Sequence, residues 1–281
     1  MEKIIKKLDS EMLFVGHLQE KDDLKTYGRD APLVETEKNK EDLNKVADAI
    51  VSKMEKTEKK AVMFITSPRI RAQETARLLA AEIRKRLGNN VKIRYVEDEN
   101  LKSTEQGKFI LPEDYSPGSF FEGLKIASNI FTKESLESSD RNLHYRFGDP
   151  VRTSDGSYRY PELAKYFIAS GETYAESLVR IFTSVVKMGR KVKKLNLSVE
   201  VIIVSHGFTF HILRGLEVLG EQIKQGDIHL NPGDVALKIW EIYKNNTTDF
   251  KSLAYVPLDV TNLGDEELLT MLGKEIEYLR I

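Results

Sequence analysis

The stretch VMFITSPRIRAQETARLLA, Val62–Ala80, decides the predicted fold of this chain. Its apolar start predicts a buried strand, and its second half predicts a helix with apolar residues on one side and charged residues on the other. Between the two stand a Ser-Pro pair and two arginines, Arg69 and Arg71. Of these we expect Arg69 to be solvated. A plain strand-to-helix turn needs no arginine. Because the N–H groups of a helix N-terminus also favour anions, the turn indicates an anion site.

Strand and helix patterns alternate on both sides of this stretch. The sequence predicts strands over 12–17, 61–67, 91–98 and 199–206, and an edge strand over 234–244. It predicts helices over 38–57, 71–87, from Glu172 to about Leu195, and over 207–220, with Gly220 as the C-cap of the last. This order predicts an α/β fold: a three-layer sandwich with a mostly parallel central sheet and helices on both faces.

Residues 102–170 have a different composition, rich in Ser, Pro, Gly, Tyr and Phe, with weak periodicity apart from a short helix expected at 118–133. A connection of this length inside a compact domain is usually functional or disordered. Its aromatic residues favour a packed segment. We therefore expect a single domain over 1–281, in which 102–170 is an insertion that forms a lid over the site.

The composition excludes several kinds of chemistry. The 281 residues carry 43 basic and 44 acidic side chains and no cysteine. Thiolate nucleophiles, thiolate metal sites and disulfides are therefore absent. The near-zero net charge gives no indication of nucleic acid as a partner. With no apolar run of about 18 residues and a charged N-terminus, we expect no membrane span, no signal peptide and a cytoplasmic protein.

Polar side chains follow three of the predicted strands. His17 ends the first predicted strand. Ser67 ends the second, and Arg71 follows four residues later. The strand over 199–206 ends on Ser205 and His206, and Gly207 follows directly. Ligands of open α/β sheets gather beyond the carboxyl ends of the strands, so we expect these groups to meet there. Two imidazoles and a guanidinium suit a phosphoryl group, because the arginine fork binds phosphate oxygens and a histidine can attack phosphorus.

Four motifs then resemble one family. TSPRIRAQETA resembles the Ser-Pro-x-x-Arg-Ala-x-x-Thr-Ala motif of the histidine phosphatase superfamily, also called phosphoglycerate mutase-like. VIIVSHGFTFHIL is similar to the second-histidine motif of that family. SGETYAESLVRI resembles its Gly-Glu-Ser-x-x-Asp-x-x-x-Arg helix start, and RDAPLVETE resembles its Asp-x-Pro-Leu-Thr-x-x-Gly stretch. The four matches occur in the family's order and cover most of the chain outside the insertion.

The resemblance implies a mechanism without metal or cofactor. His17 would attack the phosphoryl group, and His206 and Arg71 would bind its oxygens. Ser67 and Gly207 belong to the same two motifs and would contribute to substrate binding. The family's first motif is Arg-His-Gly, however, and here Gly16 and Leu18 flank the histidine. Either Arg29 or Lys21 could replace the missing charge, and Arg29 is favoured for its planar fork.

The second departure concerns the general acid. The family often has Leu-x-Glu-x-x-x-Gly after the third strand, and Ser103 stands here at the place of that glutamate. Glu105, two residues on, is the candidate acid, although loop carboxylates are mostly solvated. The expected function is hydrolysis of a small phosphorylated metabolite through a phosphohistidine. The alternative is a non-catalytic module that binds a phosphorylated ligand or a protein. The sequence does not indicate an oligomeric state.

Overall fold

The computed structural model describes residues 11–18, 31–103, 108–109, 167–169, 177–184, 199–225, 238 and 255–259. The strands are β1 Glu11–Gly16, β2 Ala61–Thr66, β3 Lys92–Glu97, β4 Lys108–Phe109, β5 Phe167–Ala169, β6 Val199–Ser205 and β7 Tyr255–Asp259. The helices are α1 Glu37–Lys56, α2 Ile70–Leu87, α3 over 177–184, and α4 Gly207–Gln225, with a short 3-10 helix at Glu99–Leu101.

Five of these strands form one sheet in the order β3-β2-β6-β1-β7. The first four are parallel to one another, and β7 runs antiparallel to β1 at the edge. The predicted α/β class with a mostly parallel sheet is therefore confirmed. Because β2, β6 and β1 are adjacent and parallel, their carboxyl ends lie side by side at one edge of the sheet.

Helices cover both faces of the sheet. On one face the alternate residues of β1, β2 and β6 form a core with α1 and α2; its fully buried members include Leu13, Phe64 and Ile202. On the other face the ring of Phe14 lies 5.2 Å from the ring of Phe210 on α4. Each such buried side chain stabilises the fold by about 1.5–3 kcal/mol relative to an exposed one.

Two predicted boundaries are wrong. The helix α4 does not end at Gly220 but continues to Gln225, because Leu219 and Ile223 extend its buried apolar face past the glycine. An interior glycine costs a helix about 1 kcal/mol relative to alanine, which this packing offsets. The edge strand is also misplaced. Lys238, the described residue of 234–244, is helical, and the antiparallel edge strand is β7.

Most of the predicted insertion, including the expected helix at 118–133, lies outside the described residues. Its described parts are β4 and β5, which pair antiparallel as a second sheet of two strands. The single domain over 1–281 and the lid at 102–170 stay predictions.

Candidate active site

Three polar residues follow the carboxyl ends of β1, β2 and β6 and are held there by the main chain. The N–H of His17 donates to the carbonyl of Ser205 at 3.0 Å, and the N–H of Ser67 donates to the carbonyl of Val204 at 3.0 Å. His206 follows β6 directly and is 3% exposed. These residues therefore lie together at one edge of the sheet.

The imidazole of His17 is oriented by two hydrogen bonds. Its Nδ1 lies 2.7 Å from the carbonyl oxygen of Leu18, and its Nε2 accepts from Nε of Arg71 at 3.1 Å. A carbonyl can only accept, so we assign the proton to Nδ1. The lone pair of Nε2 therefore points toward the guanidinium, and this is the lone pair a nucleophile requires.

The imidazole of His206 has the opposite tautomer. Its Nδ1 lies 3.3 Å from Nη2 of Arg71, which can only donate, so Nδ1 accepts and the proton is on Nε2. That Nε2–H donates to Oγ of Ser67 at 2.9 Å. The two rings lie edge to face, with centroids 5.1 Å apart. Arg71, 7% exposed, thus lies between two imidazoles with one N–H directed at each.

Burial keeps both histidines neutral. It lowers the pKa of His17 from 6.5 to about 4; the charge of Arg71 acts in the same direction, and the bond to Leu18 opposes both. Burial also lowers the pKa of His206 well below its usual value, and the charges of Arg71, His17, Arg69 and Arg180 add to this effect. A neutral His17 retains its lone pair at physiological pH.

The first turn of α2 positions Arg71 against β1. Thr75, one turn further on, is fully buried; its hydroxyl donates to the carbonyl of Arg71 at 2.7 Å and accepts the N–H of Leu18 at 3.1 Å. One side chain therefore connects the arginine's helix to the peptide that orients His17. Sequence reasoning did not assign this role to Thr75, although it is the threonine of the quoted motif.

Gly207 opens α4 directly after His206, so its N–H belongs to the first turn, where no intrahelical partner exists. Among the described residues, a Cβ built on Gly207 would meet no atom within 4 Å. These residues therefore leave space beside the helix N-terminus, which suits the approach of an anion.

The segment after β3 forms another wall near the site. Ser205 Oγ donates to the carbonyl of Leu101 at 2.5 Å, and Arg180 of α3 donates to the carbonyls of Asn100 at 2.5 Å and Lys102 at 3.1 Å. Ser103 follows this segment and is half-buried. Sequence reasoning did not single out Arg180, although it stands at the final arginine of a quoted motif.

Arg69 differs from its prediction. The sequence suggested that it is solvated, but it is half-buried and its Nε is fully enclosed. The error has a local cause: Arg69 is the N-cap of α2 and not a residue of its outer surface. Its backbone N–H donates to Ser67 Oγ at 3.3 Å, which places it next to His206.

Two predicted site residues, Glu105 and Arg29, lie outside the described residues, and so does Lys21. Their roles stay predictions. In the described part of the chain, no three His, Asp or Glu side chains group so as to hold a metal ion. No helix in this same part is both long and apolar enough to cross a membrane.

Comparisons with known proteins give structural similarities alone. No family model and no curated protein matches the sequence. Similar solved structures include a mycobacterial glucosyl-3-phosphoglycerate phosphatase, with 14% identity, 81% of this chain and 84% of that chain covered, and a TM-score of 0.44. A second similar structure is a phosphoglycerate mutase from Bacillus anthracis, which is 17% identical to this chain. The match covers 80% of this chain and 86% of that chain, with a TM-score of 0.43.

A third similar structure is a phosphoserine phosphatase from Entamoeba histolytica in complex with 3-phosphoglyceric acid, with 15% identity, coverages of 79% and 86%, and a TM-score of 0.39. These similarities are to phosphatases and a phosphoglycerate mutase, the class of protein whose motifs the sequence resembles. The fold class itself rests on the strand order, and the site rests on its own geometry.

Proposed function

We propose that this protein hydrolyses the phosphomonoester of a small phosphorylated metabolite through a phosphohistidine at His17. The observation that carries the proposal is the orientation of His17. With its Nδ1 proton held by the carbonyl of Leu18, its Nε2 lone pair faces Arg71 and the second imidazole. A structural histidine needs no such neighbours, whereas a nucleophile needs a free lone pair beside groups that bind the attacked anion.

The guanidinium of Arg71 is the phosphoryl-binding group of this proposal. The two N–H groups now directed at the imidazoles belong to one planar fork, which matches two oxygens of a phosphoryl group. A phosphomonoester entering the site would take these donors, because a charged oxygen accepts more strongly than a neutral imidazole nitrogen. His17 Nε2 would thereby be released next to the phosphorus atom.

The reaction then has two steps. Nε2 of His17 forms a bond to phosphorus while the bond from phosphorus to the ester oxygen breaks, and a general acid protonates the leaving oxygen. Water next attacks the phosphorus and gives a proton to the carboxylate left by the general acid, the bond to Nε2 breaks, and inorganic phosphate leaves. Glu105 is the candidate acid in this scheme, while His206, Ser67 and the first turn of α4 at Gly207 surround the phosphoryl oxygens. Arg29 is the candidate for a further cation.

The test compares the parent protein with His17→Gln. We expect the parent to hydrolyse 4-nitrophenyl phosphate and some members of a panel of sugar phosphates, and the variant to lose at least about 10³-fold in kcat/KM. Phosphohistidine should be trapped in the parent after an alkaline quench, because the bond from phosphorus to nitrogen breaks in acid. Arg77→Gln, on the exposed side of α2, is the matched control for handling and folding. Equal hydrolysis by parent and His17→Gln would overturn the proposal.

A second candidate function is a non-catalytic module that binds a phosphorylated ligand. The observation that favours it is the lack of an acid: among the described residues, no carboxylate is hydrogen-bonded to either imidazole, and Ser103 stands where the resemblance places the glutamate. This function predicts that phosphate binds and protects the protein against heat while no substrate is turned over. Turnover that depends on His17 would exclude it.

A further inference from the structure

One nitrogen of the Arg69 guanidinium, Nε, lacks a partner where one is expected. This nitrogen is fully buried, yet it has no hydrogen-bond partner, and no described residue forms an ion pair with this side chain. Guanidinium groups carry five donors and no acceptor, and buried donors in native proteins are almost always bonded. A buried donor of this kind therefore requires an explanation, and a role in binding an anion provides one.

The backbone of Arg69 lies on the Ser67 side of the candidate site. Its backbone N–H and Nε2–H of His206 both donate to Oγ of Ser67, at 3.3 Å and 2.9 Å. Arg71, in contrast, faces Nδ1 on the other side of the same imidazole. The charge of Arg69 is close enough to His206 to contribute to the lowering of its pKa. The charges of both Arg69 and Arg71 therefore act on His206, and Arg71 is hydrogen-bonded to both imidazoles.

We propose that Arg69 is a substrate-binding residue whose guanidinium takes an oxygen of the phosphoryl group on the Ser67 side of His206. The inference rests on the proposed function, because it adds a second cation to the same phosphoryl site. It assigns to Arg69 a role that the sequence left to Arg29. Arg69 is the N-cap of α2, where no side chain caps the helix, so it stands at the end of the helix whose dipole favours an anion.

Binding of inorganic phosphate and orthovanadate, measured by titration calorimetry, tests the inference. We expect Arg69→Gln to raise the Kd for phosphate by about 10- to 100-fold, because a hydrogen bond to a charged group is lost. Arg69→Lys keeps the charge without the planar fork and should lose less. Arg77→Gln removes the same charge from the exposed side of α2, near Tyr95, and should change the Kd by less than about 2-fold.

Thermal unfolding separates binding from a structural role. Since the buried Nε of Arg69 has no partner, Arg69→Gln should leave the Tm of the phosphate-free protein unchanged or higher, while the rise in Tm on adding phosphate becomes smaller. A phosphate Kd that is the same in Arg69→Gln and parent would overturn the inference and leave the proposed function intact, provided that Arg71→Gln loses binding. A parent protein that binds neither anion would overturn both.

Discussion

His17 is a neutral imidazole in a buried and positively charged setting. Its pKa is lowered to about 4, first by burial and then by Arg71. A lowered pKa in a histidine means that the folded state binds its proton less tightly than the unfolded chain does. Between about pH 4 and 6.5 the unfolded chain holds a proton on this side chain that the folded protein does not. Acidification through this range therefore favours unfolding, and stability is fully present only above about pH 6.5.

His17→Gln should remove this part of the pH dependence. From pH 7 to pH 4.5 we expect the parent to lose on the order of 2 kcal/mol more unfolding free energy than the variant. Urea titrations of both proteins at several pH values measure the difference. If both proteins lose the same free energy over this range, His17 titrates normally in the folded state and the nucleophile is not held neutral as we describe.

Arg71 acts on both imidazoles through one planar group. Lysine in its place keeps the charge but offers a single flexible ammonium, which cannot direct two fixed donors at two oxygens. We expect Arg71→Lys to weaken phosphate binding by at least about 10-fold, and Arg71→Gln to weaken it further. Calorimetric titration with phosphate measures both, with Arg77→Gln as the control. Normal binding by Arg71→Lys would show that the fork geometry has no role.

At the scale of elements, the site depends on the contact between β1 and α2. Thr75 makes that contact through one buried hydroxyl, which accepts from Leu18 and donates to the carbonyl of Arg71. Leu18 in turn supplies the carbonyl that orients His17. Thr75 therefore aligns the proposed nucleophile His17 with the guanidinium of Arg71 without touching either of those two groups.

Thr75→Val removes the hydroxyl and keeps the shape of the side chain. We expect a loss of about 1–3 kcal/mol in the free energy of unfolding, because the buried N–H of Leu18 loses its partner. Phosphate binding should weaken as well, because the Leu18 peptide is less well held. Thr75→Ser keeps the hydroxyl and should bind phosphate like the parent. Full affinity in a folded Thr75→Val protein would show that the site does not need this connection.

At the scale of the whole molecule, β6 has a buried titratable group near each end. His206 follows its carboxyl end, and Glu200, fully buried, lies near its start. The carboxylate of Glu200 pairs with Lys53 and Lys59, each at 3.0 Å, and both lysines are also buried. Glu200 and His206 are six residue steps apart along the strand, which corresponds to about 20 Å.

Glu200→Gln should therefore affect stability without affecting the site. Removing the carboxylate that both buried lysines share should cost about 3–5 kcal/mol, while the phosphate Kd stays within about 2-fold of the parent. Glu37→Gln breaks an exposed pair with Lys40 and should cost less than about 1 kcal/mol. Denaturant titration and calorimetry measure both quantities. A large change in phosphate affinity would show that the two ends of β6 are coupled.

Much of the fold could be predicted because its signals are local. The apolar runs of β1, β2 and β6 and the helical spacing of α1 and α2 depend on neighbours within one or two turns. The prediction went wrong where local and tertiary preferences compete. Gly220 is a typical helix-ending residue, but α4 continues to Gln225 because Leu219 and Ile223 are buried on its apolar face. The edge strand contains Pro257, which an edge position tolerates.

The sequence by itself determined which chemical groups reach the site. His17, Ser67, Arg71 and His206 follow strand ends, and parallel strands bring their carboxyl ends to one edge. Only the tertiary structure decided how the atoms pair. The bonds of Arg71 to two imidazoles join residues far apart in the chain. The two opposite tautomers follow from those bonds, and the burial of Arg69 Nε follows from tertiary packing. Burial and hydrogen bonding depend on which surfaces meet, and no local pattern in the sequence carries that information.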